Sequence, residues 1–105
     1  MKSAFFASLL LMLSGVVYAD APYIWNGWQD SKLTLEQCLN RAELAIRQAE
    51  FTQDVAITTS SVFGVNGQYR ATIRCAPDKE VVFFVVAGPT SGTAKHFLAA
   101  LRAQF

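Results

Sequence analysis

The sequence predicts an α+β fold, a two-layer sandwich in which two helices cover one face of a three-stranded antiparallel meander, in the order (β)αβββα. Two segments carry a single apolar stripe at helical spacing, and three strand-like segments are joined by short turn signals. Short turns make the strands sequential neighbours. The single stripes place both helices on one face, which leaves the other face of the sheet open.

The first residues predict an export signal. Lys2 is followed by an apolar run from Ala4 to Val17, and Val17-Tyr18-Ala19 fits the small-x-small pattern before a cleavage site. This run is shorter than the roughly 20 apolar residues of a membrane-spanning helix. We therefore expect a signal peptide over 1–19 and an exported protein, periplasmic or secreted, with no stable membrane anchor; the alternative is an uncleaved anchor.

Charge argues against nucleic acid as a partner. Beyond residue 19 the chain has eight Lys and Arg and eight Asp and Glu, so its formal net charge is zero. A neutral domain has no long-range attraction to nucleic acid or to an acidic membrane. Residues 33–105 are expected to form one α+β domain, preceded by an aromatic arm or short strand over 20–32.

That N-terminal arm leaves two interpretations open. It contains Tyr23, Trp25 and Trp28, and Asn26-Gly27 between the tryptophans favours a turn. Its aromatic side chains lie on the core in the first interpretation. In the second they form a stacking surface for a ligand such as a sugar.

The first helix is predicted to begin after Thr34 and to end near Glu50. Thr34 and Gln37 have the spacing of a capping box. The apolar stripe of this helix consists of Leu35, Cys38, Leu39, Ala42, Ala45, Ile46 and Ala49.

The strand pattern places Cys75 on the core side of the sheet. Asp54 to Phe63 reads as one strand, Asn66-Gly67 as a hairpin loop, and the residues up to Cys75 as a second strand with clean alternation. Cys38 belongs to the helix stripe that packs there, so a disulfide between the two cysteines is expected in an exported chain. A pair of buried thiols is the alternative, and a metal site lacks ligands.

The third strand, Val81 to Ala87, is apolar on both faces, which is typical of the interior of a sheet. Its neighbour, however, has Arg70, Thr72 and Arg74 on the outer face. The arm, a second copy or a partner must therefore cover part of the third strand.

The last helix is expected over Ala94–Phe105, capped by Thr93.

The arginines on the outer face of the sheet and the nearby aromatic residues define a candidate binding face for an anionic or aromatic group. The arginines are alternatively solvated, or paired with Asp78 or Glu80. The candidate residues are Arg70, Thr72, Arg74, Trp25, Trp28, Phe83 and Phe84.

Catalytic candidates are scarce. The single histidine, His96, lies on the polar side of the last helix, and paired cysteines leave no thiol nucleophile. The serines lack a nucleophile motif, and the acids lie at turns or on solvated helix faces. No enzyme activity, catalytic residue, metal or cofactor is predicted.

Three segments carry a resemblance: TLEQCLNRA from residue 34, SSVFGVNGQYRATIRC from residue 60 and VVFFVVAGP from residue 81. Over Leu33–Phe105 the chain resembles small exported bacterial proteins of unknown function. The resemblance implies export and a compact α+β domain. It transfers no active-site residue.

Three functions follow as hypotheses. The first is a non-catalytic binding or protein-interaction domain that uses the open sheet face to hold an unknown protein or a small ligand. The second is a self-associating structural protein of the bacterial envelope, with a homodimer through that face. The third is a small hydrolase or an inhibitor of one.

Overall fold

A computed structural model of the chain describes residues 20–105. The predicted signal peptide over 1–19 lies outside the described residues. Five strands and two helices follow one another in the order βαββββα. They are β1 (Tyr23–Asp30), α1 (Leu35–Gln48), β2 (Gln53–Ile57), β3 (Ser61–Asn66), β4 (Tyr69–Ala76), β5 (Val81–Gly88) and α2 (Ser91–Gln104).

All five strands form one antiparallel sheet in the order β1-β5-β4-β3-β2. α1 packs over β3 and β4, α2 packs over β5 and β1, and the two helices contact each other. Both helices therefore lie on the same side of the sheet. The prediction of an α+β class is confirmed.

The core lies between the helices and the inward side of the sheet. Its largest fully buried side chains are Phe51, Phe84, Ile46, Ile73, Leu101, Val62, Val82 and Val86. The predicted disulfide is present: it joins Cys38 of α1 to Cys75 of β4, whose Cα atoms are 6.1 Å apart. The bond therefore fixes one helix to the central strand of the sheet.

The predicted three-stranded meander is too small, because the sheet has five strands. The stretch read as one strand from Asp54 to Phe63 is two, β2 and β3. Between them Thr58 N–H donates to Ser61 O at 2.8 Å, and Ser61 N–H donates to Thr58 Oγ1 at 3.1 Å. These side-chain and main-chain bonds close a tight turn inside a run that alternates like a strand.

The N-terminal arm is the fifth strand. β1 pairs with β5 along its whole length, from Tyr23 opposite Gly88 to Asp30 opposite Val81. The turn expected at Asn26-Gly27 is absent, because pairing with β5 holds both residues in extended conformation. β1 extends the edge of the sheet and does not cover the outer face of β5.

Two local boundaries also differ from the prediction. Asn66 pairs with Tyr69, so the hairpin loop is Gly67-Gln68 and not Asn66-Gly67; Gly67 takes a φ of 59°, which suits glycine. α2 begins at Ser91 with Thr90 as its N-cap, one turn before the predicted start at Ala94. In α1 the predicted capping box is confirmed, and the helix ends at Gln48.

Candidate binding face on the open side of the sheet

The side of the sheet opposite the helices forms one continuous surface. Because paired residues in neighbouring strands share a face, the register assigns its members directly. We call this surface the open face. It consists of Ile24, Asn26, Trp28 and Asp30 of β1, Val81, Phe83, Val85 and Ala87 of β5, Arg70, Thr72, Arg74 and Ala76 of β4, Ser61, Phe63 and Val65 of β3, and Gln53 and Ala56 of β2.

One row across the open face combines two aromatic rings with a cation. Phe83 lies directly opposite Trp28 on one side and Arg74 on the other. Trp28 is 58% exposed and Phe83 is 43% exposed, whereas large aromatic side chains are usually buried. The row offers flat apolar surface next to a guanidinium group.

A second guanidinium lies on the same strand, four residues away. The Arg70 guanidinium carbon is 5.0 Å from the centroid of the Phe63 ring, which is the geometry of a cation–π contact. Phe63 itself is half-buried and lies opposite Thr72. The ring thus supports the Arg70 side chain, and Arg70 as a residue is exposed.

Neither arginine is neutralised by a carboxylate within the described part of the chain. Over residues 20–105 the ion pairs are Lys32 with Glu80 at 4.0 Å and Arg47 with Glu43 at 3.0 Å. The alternative in which Arg70 and Arg74 pair with Asp78 or Glu80 is therefore not observed. The only acid on the open face is Asp30, at one corner.

Two of the candidate residues lie on the helical side. Trp25 is half-buried; its indole Nε1–H donates to Ser91 Oγ at 3.0 Å, and Lys95 Nζ is 5.2 Å from its ring centroid. Phe84 is fully buried and packs edge-on against Phe105. Arg70, Thr72, Arg74, Trp28 and Phe83 share the open face, whereas Trp25 and Phe84 contribute to the core side.

Sequence reasoning missed Ile24 and Phe63, which belong to the open face. Ile24 is 59% exposed and lies in the same row as Ala87 and Arg70. Alternation within residues 23–30 would have assigned Ile24 to the same face as Trp28. The turn expected at Asn26-Gly27 divided this stretch, so the alternation was not recognised. Phe63 was missed because the strand that contains it was read with the wrong start.

The histidine that was considered as a catalytic candidate lies in the helical layer and not on the open face. His96 is exposed on α2, and its ring centroid is 6.3 Å from that of Phe97. Within residues 20–105 no cluster of three His, Cys, Asp or Glu side chains is placed to hold a metal ion, and every buried side-chain nitrogen or oxygen has a hydrogen-bond partner. In that same range neither helix is long and apolar enough to cross a membrane.

Comparison with known proteins adds no assignment: no protein-family model matches the chain, and no curated protein sequence matches it.

Proposed function

We propose that this protein is an exported, periplasmic or secreted, non-catalytic binding domain whose open face holds an anionic partner. The observation that carries the proposal is the pair of unneutralised guanidinium groups, Arg70 and Arg74, beside the exposed rings of Trp28 and Phe83. The Cys38–Cys75 disulfide supports the exported location, because such bonds persist in oxidising compartments.

Arginine suits this role for a geometric reason. Its planar guanidinium donates two parallel hydrogen bonds to a carboxylate, sulfate or phosphate. Surrounding apolar side chains lower the local dielectric and strengthen such bonds. The Phe83 ring lies beside Arg74, so an anion attached to a flat apolar or sugar-like surface can engage both groups at once.

Charge argues against a second copy on this face. Two stacked copies would bring four arginines together, and among the open-face residues only the two Asp30 carboxylates would offset them.

Binding to anionic polymers tests the proposal. The probes are heparin and poly-L-glutamate, and the variant is Arg70→Ala with Arg74→Ala. Arg47→Ala with Lys95→Ala is the matched control, since it removes the same charge from the helical side. We expect the open-face variant to lose at least about tenfold in affinity, because each charge-assisted hydrogen bond contributes about 1.5–3 kcal/mol.

Two results would contradict the proposal. Equal losses in the two double variants would show that binding follows net charge and not the open face. A dimer in sedimentation equilibrium that dissociates with Phe83→Asp would assign the face to self-association instead.

A further inference from the structure

A second surface lies on the helical side, at the opposite edge of the sheet from β1. α1 covers β3 and β4 but makes little contact with β2, which leaves a groove of about 300 Å³ between them. Leu35, Leu39 and Ile57 form its apolar part, and Glu36, Asn40 and Glu43 complete its lining. Ile57 is 52% exposed although it faces the helical layer.

The main chain of β2 borders this groove. β2 pairs only with β3, so within residues 20–105 no strand lies along its outer edge. An irregularity between Gln53 and Ala56, with Asp54 at a φ of 49°, disturbs the first half of the strand. Regular pairing with β3 is therefore limited to Ala56 and Ile57, next to the groove, and within residues 20–105 no strand pairs with the outward N–H and C=O groups there.

The other edge of the sheet is partly occupied. Next to β1 the Arg102 guanidinium lies against Gly27, and its Nη2 donates to Trp28 O at 3.3 Å. α2 also packs along β1. The β2 edge has no comparable cover within the described residues.

We propose that the groove binds an extended peptide that adds to the edge of β2 as a sixth strand and whose groove-facing side chains, every second residue, are apolar and basic. Strand addition uses main-chain hydrogen bonds for affinity and a neighbouring pocket for every second side chain. A pocket of about 300 Å³ is at the lower end of the range for bound ligands and accommodates one or two aliphatic side chains.

Charge selects the basic residues of this peptide. Glu36 has no ion-pair partner within residues 20–105, and Glu43 forms an ion pair with Arg47 of its own helix. A lysine or arginine on the groove-facing side of the added strand would reach the carboxylates on the groove rim, whereas the intervening side chains point to the other face of the sheet. A second copy of this chain fits poorly, because two β2 edges side by side would bring Glu36, Glu43 and Asp54 of both copies together.

The first experiment selects peptides from a random nonapeptide display library on the folded, disulfide-bonded protein. We expect peptides in which every second residue is apolar or basic, and we expect their binding to weaken at least tenfold in Ile57→Lys. Leu44→Lys is the matched control, because Leu44 is about as exposed as Ile57 but lies on α1 outside the groove. A library that yields no such pattern, or one whose binders lose affinity equally in both variants, overturns the proposal.

The second experiment tests strand addition on the peptide and leaves the protein unchanged. N-methylation of every second backbone nitrogen in the best binder abolishes binding in one register and spares it in the other, because only one set of N–H groups faces β2. Amide NMR signals of residues 53–57 should shift when the unmodified peptide is added. Equal sensitivity of both registers, peptide shifts on the open face, or peptide-free self-association through residues 53–57 each overturn the proposal.

Discussion

At the scale of single residues, adjacent positions on one strand have opposite roles. Phe83 is 43% exposed on the open face, whereas Phe84 is fully buried against the helices. The sequence analysis named both rings as candidates for the binding face, because the pattern does not show which of them faces outward. Both faces of the strand VVFFVVA are apolar, so the sequence pattern does not show which of the two rings is buried. The pairing register with β4 places Phe84 on the core side and Phe83 on the open face.

Truncation of the two rings should therefore have different effects. We expect Phe84→Ala to lower the free energy of unfolding by about 3–5 kcal/mol, because it opens a cavity in the core. Phe83→Ala should change stability by less than about 1 kcal/mol and weaken binding of anionic polymers. Urea denaturation of both variants measures the difference; similar losses in stability would mean that the open face is covered.

Close packing at Gly64 gives a second test at this scale. A Cβ atom there would lie 2.6 Å from Ile46 Cγ2 and would also clash with the Phe51 carbonyl oxygen. We expect Gly64→Ala to destabilise the protein by about 1–3 kcal/mol.

Gly92 supplies the control, because a Cβ at this helical position meets open space. Gly92→Ala should leave stability unchanged or raise it by up to about 1 kcal/mol. Thermal unfolding that ranks the two variants in the opposite order would rule out the close approach of β3 to α1.

At the scale of elements, the two helices begin differently. Thr34 Oγ1 accepts a hydrogen bond from Gln37 N–H at 3.2 Å, and Gln37 Oε1 accepts one from Thr34 N–H at 3.0 Å. Thr90, the N-cap of α2, makes no such side-chain bond. The spacing of Thr34 and Gln37 predicted the first cap correctly. The cap of α2 was predicted at Thr93 and lies at Thr90, because Thr90, Ser91 and Thr93 are all suitable N-cap residues within four positions.

Replacement of the two caps should show this asymmetry. Thr34→Ala should cost about 1 kcal/mol, since it leaves a helix N–H group without its acceptor. Thr90→Ala should cost a few tenths at most. Denaturant titrations resolve this difference, and equal costs would argue against the hydrogen bonds at Thr34.

The disulfide acts between elements. It closes a loop of 37 residues between α1 and β4. The chain-entropy model gives roughly 4 kcal/mol for a loop of this length.

Cys38→Ser and Cys75→Ser should therefore reduce stability by similar amounts, and the double variant by no more than either single one. Chemical denaturation under non-reducing conditions checks this. Clearly unequal single losses would mean that one site contributes mainly through packing and not through the bond.

At the scale of the whole molecule, the layers were predictable and the sheet was not. Two single-striped helices and the position of Cys75 predicted one helical layer on one side. The number of strands depended on the turn at Thr58–Ser61 and on the pairing of residues 23–30 with β5. Neither feature has a strong local sequence pattern. The turn depends on hydrogen bonds between Thr58 and Ser61, and the pairing of residues 23–30 depends on hydrogen bonds to a strand that is distant in the sequence.

The candidate site was predictable in part for the same reason. Alternation alone assigned Arg70, Thr72 and Arg74 to one side of their strand. Trp25 and Trp28 are three residues apart, so a strand places them on opposite faces, and only the recognition of β1 as a strand could separate them.

The proposed function requires that the side of the sheet opposite the helices is a free surface that binds anions through Arg70 and Arg74. Amide and side-chain NMR shifts on addition of poly-L-glutamate to the disulfide-bonded protein test it most directly. We expect shifts that alternate along β4 and β5 and include Trp28, Arg70, Arg74 and Phe83, with the helices unaffected. Shifts centred on Lys95 and Arg102 of α2, or no shifts at all, would contradict it.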